Sequence, residues 1–163
     1  MKEIKLMIDG KEVALTKEQI EALGIDVYDG CVCDRADDCE MFWFVSSTCE
    51  ATADHEEGYC VDDELFKSGN YYRSGSYAKQ VALHQKLNNL LRRFSEQHGG
   101  DSEWDGCNQH WSVCGIPNGT VITSFAQNVK EVHSVYFKSQ NIAESAIEEV
   151  VKPFMAEHPE FVW

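Results

Sequence analysis

The sequence predicts an α+β fold: a small N-terminal ββα unit, then a pseudo-duplicated β-hairpin–helix body with an antiparallel sheet and helices on one face. Three observations predict it. Strand-like alternation, a two-residue turn and a helix cap follow one another within residues 1–25. Two short β-prone runs are each followed by a helical stripe of apolar residues. The two halves also overlay at an offset of 65.

The N-terminal unit is predicted from local chemistry. Lys2 to Ile8 alternates, with Ile4, Leu6 and Ile8 on one face. Asp9-Gly10 is a strong hairpin turn because both positions of such a turn favour positive φ. Lys11 to Leu15 returns as the second strand. Thr16 caps a short helix, with Gln19 three residues on as a capping box requires, and Leu15 and Ile20 placed to close over it. Gly24 ends that helix. Residues 26–40 have no periodicity and read as an acidic, cysteine-containing linker.

The body spans 41–163 and holds two units, 41–98 and 109–157. Met41 to Ser47 is aromatic and β-prone and predicts a strand, with Gly58 to Asp62 as its expected partner. A helix is expected from Ser76 to His98, inward at Tyr77, Ala78, Val81, Leu87, Leu90, Leu91 and Phe94, and ended by Gly99-Gly100. Lys79, Lys86, Arg92 and Arg93 fall on its outer face. His110 to Ile116 and Thr120 to Phe125 form a second hairpin around Pro117-Asn118-Gly119, and Glu131 to Phe137 a further strand. Ser139 or Asn141 caps the last helix, inward at Ile142, Ala143, Ala146, Ile147, Val150 and Val151. Pro153 kinks or interrupts it. In the overlay Tyr71-Tyr72-Arg73-Ser74 meets Tyr136-Phe137-Lys138-Ser139, and Tyr77-Ala78 meets Ile142-Ala143.

Charge is the strongest functional clue. Asp26 to Glu64 holds thirteen acids and one base, Arg35, a net of −12 out of −14 in the whole chain. Such a field repels nucleic acid and attracts basic surfaces. The candidate contact residues are Asp34, Asp37, Asp38, Glu40, Asp54, Glu56, Glu57, Asp62, Asp63 and Glu64, with Trp43 as an aromatic anchor among neighbours Phe42, Phe44 and Tyr59. Duplex DNA carries one charge per ~1.7 Å of axis, so twelve charges match roughly 20 Å of duplex. The alternative is an acidic face that serves only solubility. The basic outer face of the long helix could answer the acids of a second copy, giving a homo-oligomer.

Other chemistry is thinly represented. The seven cysteines are an odd number with no signal-peptide core beside them, so free thiols and a cytoplasmic location in a bacterial host are expected. Cys31-Val-Cys33 lacks a second close pair of Cys or His, and Asp34, Asp37, Asp38 and Glu40 lack the glycine of a calcium loop. No cofactor is therefore expected. GxSxG, GxxxxGK[ST], HExxH and GxGxxG are absent, and no enzyme is expected. The enzymatic alternative is a metal- or thiol-dependent activity of Cys31, Cys33 or Cys39. Cys107 or Cys114 with His110 or His133 is a weaker pairing of the same kind. No apolar run reaches the ~20 residues of a membrane span.

Three stretches carry a resemblance: KEVALTKEQIEALGI, YAKQVALHQKLNNLLRRFSEQHGG and EEVVKPFMAEHPEFVW. Together they resemble a broad set of small phage and prophage proteins of Gram-positive gut bacteria, for which no activity is established. In place of the Asn-Pro-Phe stretch such proteins tend to carry, this chain has Cys31-Val-Cys33 and a run of Asp. The resemblance implies a phage-derived accessory protein. By class, it implies an anti-defence inhibitor (anti-CRISPR-like) that blocks a host nuclease or other nucleic-acid-binding protein without touching nucleic acid itself. A phage assembly protein is the alternative.

Overall fold

The computed structural model describes residues 5–8, 11–16, 19, 34–116 and 119–163. It is α+β, and the chain divides into two compact units, Met1–Ala82 and Leu83–Trp163. The division falls within the long helix.

In the first unit, β1 (Lys5–Ile8) and β2 (Lys11–Ala14) pair antiparallel with Ile8 opposite Lys11, and the expected turn at Asp9-Gly10 lies outside the described residues. The capping box is present: the Thr16 amide donates to Gln19 Oε1 at 2.9 Å and the Gln19 amide to Thr16 Oγ1 at 3.3 Å. Ile20, Gly24 and residues 26–33 lie outside the described residues.

β3 (Met41–Val45) and β4 (Ala51–His55) form the second hairpin. The expected partner, Gly58 to Asp62, is not a strand. Cys60–Ser68 is instead a helix, α1. Asp62 and Asp63 complement the positive end of the helix dipole, and Gly69, at φ +75°, takes the left-handed position that ends it.

The all-apolar run of β3 has a simple cause: the strand is covered on both faces, so alternation has no polar side to express. Phe42 and Phe44 enter a cluster with Ala36, Leu65 and Tyr71. Trp43 and Val45 enter another with Tyr72, Ala78 and Ala82. A bridge from Trp43 to Tyr72 sits on the edge of β3 opposite β4. Helix α2 (Gly75–Gln97) follows, and Ser74 accepts from the Tyr77 amide at 3.2 Å. Tyr77 was expected inward but is 45% exposed; Ala78 and Ala82 take the buried positions.

The second unit holds a hairpin, a short strand and a helix and, among the described residues, no counterpart of α1. β5 (His110–Gly115) pairs with β6 (Val121–Ala126) on one side and with β7 (Tyr136–Phe137) on the other. Phe137 pairs with Trp111, as Tyr72 pairs with Trp43. Ser139 then accepts from the Ile142 amide, as Ser74 does from Tyr77, and Ala143 is fully buried, as Ala78 is. Of the residues matched at an offset of 65, Tyr72 and Phe137, Ser74 and Ser139, and Ala78 and Ala143 share these features.

The strand expected over Glu131 to Phe137 is shorter than read. Residues 132 and 133 turn, and His133 adopts φ +71°, which no strand can carry. Helix α3 (Gln140–Ala146) runs into a π-helical turn at Ile147–Val151 and then α4 (Lys152–Glu157). Pro153 has no amide hydrogen and its ring crowds the carbonyl four residues back, so the backbone widens just ahead of it. The Lys152 amide reaches back to the Ile147 carbonyl, a five-residue span. The core joins Leu83, Leu87, Leu91 and Phe94 of α2 to Phe137, Ala143, Ala146, Val151, Phe154 and Phe161.

Candidate interaction surface

Arg35, the single base of the acidic segment, ties two of its acids together. Arg35 grips Glu56 with two parallel bonds, Nε to Oε2 and Nη2 to Oε1, both 2.9 Å, and reaches Asp63 through Nη1 at 2.6 Å. A planar guanidinium suits such a two-pronged grip. The Tyr71 hydroxyl donates to Glu56 Oε2 at 2.8 Å and accepts from the Ala36 amide at 3.1 Å. The Gly58 amide adds a bond to Oε1 at 3.0 Å.

Glu56 is thus buried with four donors around it. The Arg35 bonds, helped by Tyr71 and Gly58, hold its pKa down to about 2 against the opposing effect of burial. Tyr71 is pushed up to about 12, chiefly by burial, with the Glu56 charge adding to it. Arg35 also lowers the pKa of Asp63.

Two further acids are consumed internally. Asp62, 2% exposed, accepts from the amides of Tyr59 at 3.0 Å and Glu57 at 3.2 Å and fixes the start of α1. Glu40 accepts from Arg73 Nη2 at 2.6 Å and from the Asp37 amide at 3.2 Å, and these contacts lower its pKa, Arg73 most.

The expectation that all ten carboxylates form an outward contact surface is therefore corrected. Glu56 and Asp62 face inward, and Glu40 and Asp63 are paired with the protein's own cations. Trp43 is half-buried and packs against a core cluster, its ring so close over Gly75 that a Cβ there would lie 2.7 Å from Cε2. Of its aromatic neighbours, Phe42 is fully buried and Tyr59 is 61% exposed. Sequence reasoning missed Arg35, Arg73 and Tyr71 as organisers; the isolation of one arginine among thirteen acids was the available signal.

Seven of the ten are exposed: Asp34, Asp37, Asp38, Asp54, Glu57 and Glu64, and Glu40 despite its bond to Arg73. The backbone brings several of these together. The Cys39 amide donates to the Glu56 carbonyl at 2.8 Å and the Glu56 amide to the Glu40 carbonyl at 2.9 Å, extending the β3–β4 ladder past its named ends. The Glu40 amide closes a turn onto the Asp37 carbonyl at 2.9 Å. Asp37 and Asp38 in that turn, and Glu57 across the ladder, share one end of the hairpin. Asp54, opposite Phe42, lies further along β4, and Glu64 lies on α1.

Cys39, Cys60, Cys107 and Cys114 are free, and Cys31 and Cys33 lie outside the described residues. Among the described residues, no group of three or more His, Cys, Asp or Glu could hold a metal ion. His110 pairs with Asp101 rather than with a cysteine: its Nδ1 donates to Oδ1 at 2.8 Å, and Trp104 stacks on its ring at 3.6 Å. Of the basic face, Lys79, Arg92 and Arg93 are exposed and Lys86 is half-buried. Among the described residues, no helix is long and apolar enough to cross a membrane. No family model matches this chain, and neither the curated proteins nor the solved structures contain a match to it.

Proposed function

We propose that this protein is a non-enzymatic interaction module whose first unit binds the basic surface of a nucleic-acid-handling host protein. One observation carries the reading. Arg35 is spent on Glu56 and Asp63, which anchors the acidic turn to the core, while Asp37, Asp38, Asp54 and Glu57 stay exposed beside it. A rigid anionic face costs less ordering entropy on binding than a tether would. It also steers a basic partner electrostatically. With the resemblance to phage proteins, the proposed biological role is inhibition of a host defence nuclease.

The test uses the full chain with Asp37, Asp38, Asp54 and Glu57 all changed to lysine, its folding checked by circular dichroism. Wild type should restore phage plating on a nuclease-defended host and capture a nucleic-acid-binding protein that duplex DNA competes away. The variant should do neither. Equal capture by the variant, or plating that stays low with wild type expressed, rejects the proposal.

A further inference from the structure

We propose that the second unit carries a self-complementary docking groove on which a second copy of this chain closes, forming a four-helix bundle. The groove, of about 270 Å³, lies between α2 and the last helix, which runs through α3, the π turn and α4.

The two helices run antiparallel. At one end Lys86 Nζ lies 3.4 Å from Nε2 of His158, the residue after α4. At the other end the Ser95 hydroxyl donates to the Tyr136 carbonyl at 2.7 Å, just ahead of α3. The pair is half of an up-down-up-down bundle.

The floor of the groove is apolar, made by Leu90 and Phe94 of α2 and by Val150, Pro153 and Phe154 of the last helix. Phe94 and Phe154 are buried, but Leu90 and Val150 are only half-buried and Pro153 is exposed. A cover would take that surface out of water. The widened turn supplies Glu149 and Val150 to this wall, and π turns recur at functional sites.

The rims decide what the cover is. Lys86 and Arg93 line the α2 side, and Glu149 and Glu157 line the other. One rim is cationic along its length and the other anionic. Seven positions separate the two cations and eight the two acids, each roughly 11 Å of helix at 1.5 Å per residue. Because the helices are antiparallel, Lys86 and Glu157 share one end, and Arg93 and Glu149 the other. Among the described residues, Arg93 and Glu149 take no ion pair within the chain.

A two-fold axis along the groove lays α2 of one copy over the last helix of the other, at the same height. Arg93 then meets the partner's Glu149 and Lys86 the partner's Glu157, each pair occurring twice, and every neighbouring helix in the bundle is antiparallel. An axis across the groove would set cation on cation. Such an isologous contact uses one surface as both halves of the interface. The acids that answer the basic face of α2 are thus those of the last helix, not those of the first unit.

The experiment is analytical ultracentrifugation of the full chain. Wild type should dimerise as concentration rises. Arg93→Glu and Glu149→Arg change exposed residues, and each turns two attractive pairs into repulsive ones, so each should weaken the dimer about tenfold or more. Mixed in equal amounts, the two variants again set opposite charges face to face and should recover the wild-type dimer, which an effect confined to one chain would not do. A wild type that stays monomeric, leaving the groove to some other protein, overturns the proposal. So do single variants that dimerise as well as wild type, or a mixture that dimerises no better than its components. The acidic face of the first unit is unchanged in all of these proteins, so no outcome depends on it.

Discussion

Changing Glu56 to Gln isolates the interaction that organises the first unit. The carboxylate is 4% exposed and accepts from Arg35 twice, from Tyr71 and from Gly58. Its pKa falls from an ordinary 4.5 to about 2 in the folded protein. Each unit of such a difference is worth about 1.4 kcal/mol, which gives about 3 kcal/mol at neutral pH. Arg35 is one-third exposed and water screens its side of the pair, so about 2 kcal/mol is the better figure. Because the folded pKa is depressed, this stability is fully present above about 4.5 and is lost as pH falls toward about 2. Glu56→Gln should therefore unfold at lower urea than wild type at pH 7, and the gap should close as pH drops through that window. Fluorine NMR of fluorotryptophan-labelled protein reports the first unit through Trp43, which packs against its core. A gap that is absent at pH 7, or that persists unchanged below pH 3, would refute the assignment of Glu56 as the buried anchor.

Further outcomes follow from the same geometry. Asp62→Ala leaves the Tyr59 and Glu57 amides unmet at the start of α1 and should destabilise the first unit by about 1–2 kcal/mol in urea denaturation. Gly75→Ala places a methyl against the Trp43 ring. Overpacking of about 1–3 kcal/mol should outweigh the roughly 1 kcal/mol helical gain, seen as a lower melting temperature. Ser74→Ala and Ser139→Ala remove equivalent helix caps and should each cost about 1 kcal/mol. Residue-resolved hydrogen exchange should show fraying at the start of α2 in one variant and of α3 in the other.

Much of the fold was legible because local signals and tertiary demands agreed. The Thr16–Gln19 box, the apolar stripe of α2, the two hairpin first strands and the Ser139 cap each follow from short-range chemistry. Two of the misreadings share a cause: they lie where a partner distant in sequence decides. Ala51–His55 has little β propensity and becomes a strand because β3 offers a ladder. Glu131 to Val135 looks β-prone but includes the turn in which Asn88, 45 residues away, holds the His133 carbonyl. The acidic segment was legible as a charge and illegible as an arrangement. Arg35 meets Glu56 across 21 residues and Asp63 across 28, and no spacing rule marks such pairs.

The widened turn at Ile147–Val151 has a bearing on how this helix tolerates change. A π turn accommodates one residue more than α geometry, so it behaves as a single-residue insertion absorbed without disturbing the phase of the downstream segment. Glu148 and Glu149 point to solvent, whereas Phe154 beyond them is buried. Deleting either glutamate should remove the extra residue of the widened turn, leave the interruption at Pro153, and still deliver Phe154 to its seat. Shortening the same helix by one residue within Gln140–Ala146 would rotate that ring away from it.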